Sequence, residues 1–325
     1  MMMKKRKIGI IGLGKMGGSL ALQALDKGYA VAGFDHSDKK DLAKHGVQLV
    51  GSTRELVEEV TVPRIILVYV PAGPAVDDVL SELCDFMNKG DVVVDGGNSY
   101  WGDSIRRTAR MHARGFYLID CGTSGGMEGA RHGTCFMAGG EDEAIHIAGP
   151  FLRDLAVENG FLHTGPPGSG HFVKLVHNGI EFGMLQAIGE GMALLSHYKD
   201  ELDIKAILSV WNHGSVIRSW LIDLMKQTYG EHGSDSVPSY IEDTGEVNWL
   251  ITDALQMEVA VPVIAQSIMQ LIASRDSFHT AHKAVAMMRH GFGGHPYGAD
   301  EAIRQERRTG RVGVWPSAAA GDGEA

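Results

Sequence analysis

Three features of this 325-residue sequence predict a parallel α/β domain followed by an all-α domain. Short apolar runs alternate with helical stretches through the first half, the pattern of strands buried on both faces. A glycine-rich hexapeptide joins the first such run to the first helical stretch. After Gly165-Pro166-Pro167-Gly168 strand signals give way to helical periodicity. These features place a first domain over 1–165, a helical domain over 166–316 and a small, polar tail, expected to be disordered, over 317–325.

Residues 7–11 read as a strand, 17–27 as a helix and 30–34 as a second strand. Between the first two, Gly12-Leu13-Gly14-Lys15-Met16-Gly17 is a G-x-G-x-x-G sequence. Its first glycine permits the tight turn, its second lets backbone approach a pyrophosphate, and its third lets helix pack on strand. The helix start then offers free N–H groups and a positive dipole end to phosphates. Asp35 closes the second strand, where a carboxylate accepts ribose hydroxyls and repels a 2′-phosphate. A Rossmann-type domain binding NAD is expected. His36, Ser37, Lys39 and Lys40 are near enough in sequence to make NADP the alternative. Further strands are predicted over 64–70, 91–94, 116–120 and 134–138, with Gly and Pro at their ends, where ligands collect in open sheets of this kind.

One long helix is predicted over 171–195, and a polar loop over 229–246. Lys174, His177, Asn178 and Glu181 stand at i, i+3, i+4 and i+7 and share one helix face. A base, an imidazole, a carboxamide and an acid in one stripe suit proton transfer. The competing reading is a solvated face with an ion pair. The apolar, glycine-rich surroundings favour the first.

Bulk properties narrow the partners. A formal charge of −10 argues against a nucleic-acid surface, yet leaves room for a small anion held by a few local cations. No run reaches the ~18 apolar residues of a membrane span. Lys4-Lys5-Arg6-Lys7 reads as a solvated lead-in to the first strand. Cys84, Cys121 and Cys135 have no disulfide or metal-ligand spacing and read as reduced, mostly buried thiols of a cytoplasmic protein. No metal site is expected.

The segment Gly168-Ser169-Gly170-His171-Phe172-Val173-Lys174-Leu175-Val176-His177-Asn178-Gly179-Ile180-Glu181 resembles a signature of the 6-phosphogluconate dehydrogenases. Val94-Asp95-Gly96-Gly97-Asn98-Ser99 and Gly122-Thr123-Ser124-Gly125-Gly126-Met127-Glu128-Gly129-Ala130 are similar to two more, and Arg289-His290-Gly291-Phe292-Gly293-Gly294-His295 to a C-terminal substrate motif. The likeness spans Ile8 to about His295, as in a short-chain form. It implies oxidative decarboxylation of 6-phosphogluconate to ribulose 5-phosphate, with Lys174 as base and Glu181 as the acid that protonates C1. A lysine acts as a base only where burial favours its neutral form. His177 and Asn178 would orient sugar hydroxyls, and Asn98 would bridge nicotinamide and substrate. Ser124, Gly125 and Gly126 would hold the carboxylate. Arg289 and His295 would bind phosphate from a neighbouring subunit, which implies a homodimer or tetramer.

The phosphate end departs from the family pattern. Phe182 stands where a tyrosine is common, and Glu246 and Asn248 stand where a basic residue is usual; Arg275 is a candidate replacement. The alternative function is a non-decarboxylating β-hydroxyacid dehydrogenase of the 3-hydroxyisobutyrate or tartronate-semialdehyde type, which has no need of Glu181.

Overall fold

A computed structural model describes residues 6–233 and 236–309. The basic run at positions 4–5 and the tail at 317–325 lie outside the described residues. Among them one sheet has eight strands, in the order β3-β2-β1-β4-β5-β6-β7-β8. In chain order these are β1 (Lys7–Ile11), β2 (Ala30–Phe34), β3 (Gln48–Leu49), β4 (Ile65–Val68), β5 (Val92–Asp95), β6 (Tyr117–Ser124), β7 (Thr134–Gly139) and β8 (Ala156–Gly165). Neighbouring strands run parallel except β6 and β7, which pair antiparallel with Gly122 opposite Met137. The fully parallel sheet expected from the apolar runs is thus broken at one join, where the short helix α6 (Gly126–His132) returns the chain directly.

The apolar runs are continuous because both faces of the sheet are covered. Ile8, Ile10, Ile65, Leu67, Val92, Val94 and Ile119 pack into one core. The residues between them, Ile11, Ile66, Val68, Val93 and Leu118, pack into another on the opposite face. Helix α1 (Lys15–Asp26) contributes Leu20, Ala21 and Ala24 to the first. Helix α4 (Pro74–Leu83) contributes Val76, Leu80 and Leu83 to the second. Cys121 is buried and Cys84 half-buried, but Cys135 is exposed. The expectation of mostly buried thiols therefore fails at Cys135, where a residue of β7 faces outward.

The chain divides into two compact units, residues 1–179 with 245–257, and residues 180–244 with 258–325. The first holds the sheet, together with helix α5 (Trp101–His112) and helix α11 (Glu246–Gln256). Asp253 of α11 ties it there, accepting hydrogen bonds from Tyr100 Oη (3.0 Å) and Trp101 Nε1 (2.7 Å). Helix α8 (Ser169–Ser196) is unbroken over 28 residues, and the division falls within it, after Gly179. The second unit is helical, with its own small core of Ile204, Leu208 and Ile222. No helix of the described residues is long and apolar enough to cross a membrane.

Candidate active site

Two clusters lie at the carboxyl ends of the parallel strands. The first is the glycine turn after β1. Gly12 sits at φ +87°, and a Cβ there would meet the Tyr69 carbonyl oxygen at 2.3 Å; at Gly17 one would meet the Gly12 oxygen at 2.0 Å. Those two glycines are required by the protein itself. Gly14 differs, because a Cβ there would meet nothing within 4 Å. It is also the N-cap of α1 and offers no side-chain hydrogen bond, so the first-turn N–H groups face open space above a positive helix end. These residues fit a pyrophosphate. Lys15 is exposed beside the turn, Met16 packs partly against the core and Leu13 is buried.

Asp35 does more than the sequence implies. Its Oδ2 accepts the Leu13 N–H at 2.7 Å, and its Oδ1 accepts the N–H and hydroxyl of Ser37 at 2.8 and 2.6 Å. Lys39 Nζ is 3.7 Å away. Burial alone would push this carboxyl up, but the bonds from Ser37 and Leu13, with Lys39, hold it below the usual carboxylate range. The same group that would meet the ribose therefore also fixes the glycine turn. Asp35→Ala is expected to narrow the preference for NAD over NADP and to weaken both, because Leu13 N–H loses its acceptor. Cofactor titration of the variant checks this; an unchanged preference ratio would refute it.

The second cluster is built by β6 against the first turns of α8. Alternate residues of the strand meet every third residue of the helix. Asp120, wholly buried, accepts the N–H groups of Gly168 (2.6 Å) and His171 (2.9 Å), and so caps the helix with a carboxylate. Burial raises its pKa, although His171 and the two backbone N–H groups oppose that. Two residues on, Gly122 lies under Lys174: a Cβ there would come within 2.4 Å of Lys174 Cβ. Two further on, Ser124 Oγ is 3.1 Å from His177 Nε2. The Ser104 hydroxyl, on α5, lies 2.8 Å from His171 Nδ1 and steadies the same turn.

Along the helix, Lys174 Nζ lies 3.4 Å from His177 Nδ1, and that nitrogen is 3.3 Å from Asn178 Oδ1. The two contacts demand opposite tautomers. If Nδ1 accepts from Lys174, Nε2–H donates to Ser124; if Nδ1–H donates to Asn178, Nε2 accepts the serine proton. Asn178, buried, donates from Nδ2 to Asn98 Oδ1 at 3.4 Å. Asn98 is presented by the loop after β5. Asp95 stiffens that loop by accepting the Gly97 N–H (3.1 Å) and the Ser99 hydroxyl (2.8 Å).

Asn98, Ser124, Lys174, His177 and Asn178 thus come together, with Gly125 and Gly126 at the start of α6. Gly125 is in the left-handed region, at φ +110°. Lys174 and His177 are half-buried and Asn178 is buried, so the stripe is not a solvated face. Glu181 follows on α8 within the second unit and is half-buried. Arg289 and His295, also of that unit, line one cavity. Arg275 is committed elsewhere. Its Nη2 donates to Asp243 at 2.5 Å and its Nε to the Ile241 carbonyl. Asp120, the cap beneath the stripe, was signalled only by an acid closing an apolar run. Among the described residues no group of three or more His, Cys, Asp or Glu side chains is placed to hold a metal ion.

Comparison with known proteins places the chain among relatives. Residues 7–165 match the model of the NAD binding domain of 6-phosphogluconate dehydrogenase, and residues 170–305 match that enzyme's C-terminal domain. A Bacillus subtilis (strain 168) protein, YqeC, itself only provisionally assigned as a 6-phosphogluconate dehydrogenase, is 44% identical over 89% of this chain and 98% of its own. The NAD(+)-dependent, decarboxylating 6-phosphogluconate dehydrogenase of Haloferax volcanii is 38% identical over 89% and 97%. The structure of Plasmodium falciparum 6-phosphogluconate dehydrogenase, determined with NADP+ and with 6-phosphogluconate, superposes with a TM-score of 0.77 at 26% identity, over 90% of this chain and 66% of that one. A Salmonella typhimurium 3-hydroxyisobutyrate dehydrogenase shares the fold, with a TM-score of 0.70 at 23% identity over 84% and 96%.

Proposed function

We infer the reaction from one premise: this chain belongs to the 6-phosphogluconate dehydrogenase family. It oxidises 6-phosphogluconate at C3 and releases C1 as carbon dioxide, giving ribulose 5-phosphate. The observation that carries this reading is the convergence of Lys174, His177, Asn178, Ser124 and Asn98 at the ends of β5 and β6.

The bound nicotinamide supplies a hydride acceptor for C3. Everything else falls to side chains. Lys174 Nζ takes the proton of the C3 hydroxyl as the ketone forms, then returns it to the ketone oxygen while C1 departs. The bonding pair of C1–C2 moves into an enediol, and that charge needs a cation at C3; an ammonium serves. Glu181 then delivers a proton to the carbon that becomes C1 of the product, while the enediol hydroxyl at C3 gives its proton back to the neutral Lys174 amine. Ser124 Oγ and the backbone N–H groups of Gly125 and Gly126 are donors for the carboxylate before it leaves. His177 holds Lys174 and Ser124 in place through its two ring nitrogens. Asn98, braced by Asp95, orients substrate and cofactor together, and Asn178 in turn holds Asn98. Asp35 would accept the ribose hydroxyls and repel a 2′-phosphate, which makes NAD the preferred cofactor.

The test is a coupled measurement with substrate labelled at C1. Reduced cofactor and labelled carbon dioxide are expected in equal amounts from 6-phosphogluconate, at higher kcat/KM with NAD than with NADP. Reduced cofactor from 3-hydroxyisobutyrate or tartronate semialdehyde's alcohol, with no carbon dioxide from 6-phosphogluconate, would replace this reading by the hydroxyacid one.

A further inference from the structure

Three positions where the resemblance expects phosphate partners hold Phe182, Glu246 and Asn248 here and offer no positive charge. Within the second unit, however, a cavity of about 270 Å³ is lined by Arg289, His295, Asp300, Ile303, Arg304 and Arg307. We propose that Arg304 and Arg307 join Arg289 in a guanidinium triad that binds a phosphate monoester. The proposal rests on the 6-phosphogluconate reading above and adds two residues to it.

The cavity is built by two helices and the turn between them. Helix α13 (Thr280–Gly293) carries Arg289 in its last turns. Helix α14 (Glu301–Thr309) carries Arg304 and Arg307 at i and i+3, on one face. Gly294, in the left-handed region at φ +62°, reverses the chain after α13. His290 then fastens the returning loop: its Nδ1–H donates to the His295 carbonyl at 2.8 Å, and its ring stacks on Tyr297 at 4.5 Å. The His295 ring packs close over Gly293, with Nε2 2.8 Å from where a Cβ would be. Asp300 caps α14 by accepting the Ile303 N–H at 3.0 Å, so its charge is directed at the helix end.

Charge gives the ligand its class. The chain carries a formal −10, yet among the described residues three guanidiniums line this cavity with one carboxylate, that of Asp300. Arg304 meets Glu301 at 3.0 Å, but both side chains are more than half exposed, and such i,i+3 pairs hold weakly. A dianion with three equivalent oxygens answers three planar forks far better than a carboxylate does. The cavity is large enough for a phosphoryl group with part of its hydration shell.

The test compares the wild-type enzyme with R304A/R307A and R304K/R307K, using 6-phosphogluconate, gluconate and inorganic phosphate. The ratio of kcat/KM for 6-phosphogluconate over gluconate is expected to fall at least tenfold in R304A/R307A. Inorganic phosphate, titrated by calorimetry, is expected to bind that variant at least tenfold more weakly, with the lysine pair between the two. An unchanged ratio together with unchanged phosphate affinity overturns the proposal, as does an equal fall for both sugar acids, which signals a general loss of structure. If wild-type protein does not turn over 6-phosphogluconate, the reaction assignment fails. The triad still stands in that case if phosphate binding is lost in R304A/R307A, and falls if it is not.

Discussion

Lys174→Met is expected to lower kcat on 6-phosphogluconate by about four orders of magnitude, at the upper end of what one acid–base group contributes, while NAD still binds. Three steps depend on this one side chain: proton removal at the C3 hydroxyl, proton return to the ketone oxygen and removal of the enol proton at C3. No neighbour in the cluster can take over all three. His177 touches Lys174 and Ser124, and Asn98 and Asn178 carry amides that do not titrate. Methionine is the informative replacement because the stem of Lys174 is itself structural, lying over Gly122 close enough to exclude a Cβ there. An unbranched apolar chain keeps that packing and removes only the amine. Cofactor affinity is the control, since the glycine turn after β1 and Asp35 do not touch Lys174. Retention of more than a tenth of wild-type turnover, or loss of NAD binding with the fold intact, would show that the amine has another role.

What could be read from the sequence follows from the range of the interactions involved. β1 and β2 match their predicted bounds because each is a complete apolar run next to a glycine or an acid. β3 has only two residues, too few for any pattern. β8 is not legible because its residues are half-buried or exposed and include Glu158, Asn159 at φ +61° and Gly160, which do not read as strand formers. α8 was legible as one helix since its periodicity runs on without Pro, and it extends only a residue or two beyond the expected ends. The polar stripe of α8 was likewise local and legible. Its seat was not: the pairing of Asp120, Gly122 and Ser124 with residues 171, 174 and 177 joins segments some 50 positions apart. Arg304 and Arg307 are not legible for a related reason. On α14 alone they read as the solvated face of a charged helix, and only the return of the chain past Gly294 sets them near Arg289.

That seat leads to the second large effect. Gly170→Ala is expected to destabilise the protein by about 1–3 kcal/mol or more and to cut activity on the order of 100-fold. A Cβ at Gly170 would lie 2.2 Å from the Asp120 carbonyl oxygen, 2.5 Å from that of Met137 and 2.6 Å from the Gly139 nitrogen. All three are backbone atoms of β6 and β7, so none can swing aside, and the first turn of α8 must lift by about 1 Å to reach ordinary contact distance. Lifting it stretches the Asp120 bonds to Gly168 and His171 and carries Lys174 and His177 away from Ser124. The same substitution at Gly189, further along the same helix, has nothing within 4 Å of the new methyl. There the helix preference for alanine acts alone, worth about 0.8–1 kcal/mol in favour of the variant. Thermal denaturation should therefore move in opposite directions for two glycine-to-alanine changes in one helix. If both variants shift the same way, α8 is not held against the sheet by its glycines, and the close approach that sets Lys174 in place must have another cause.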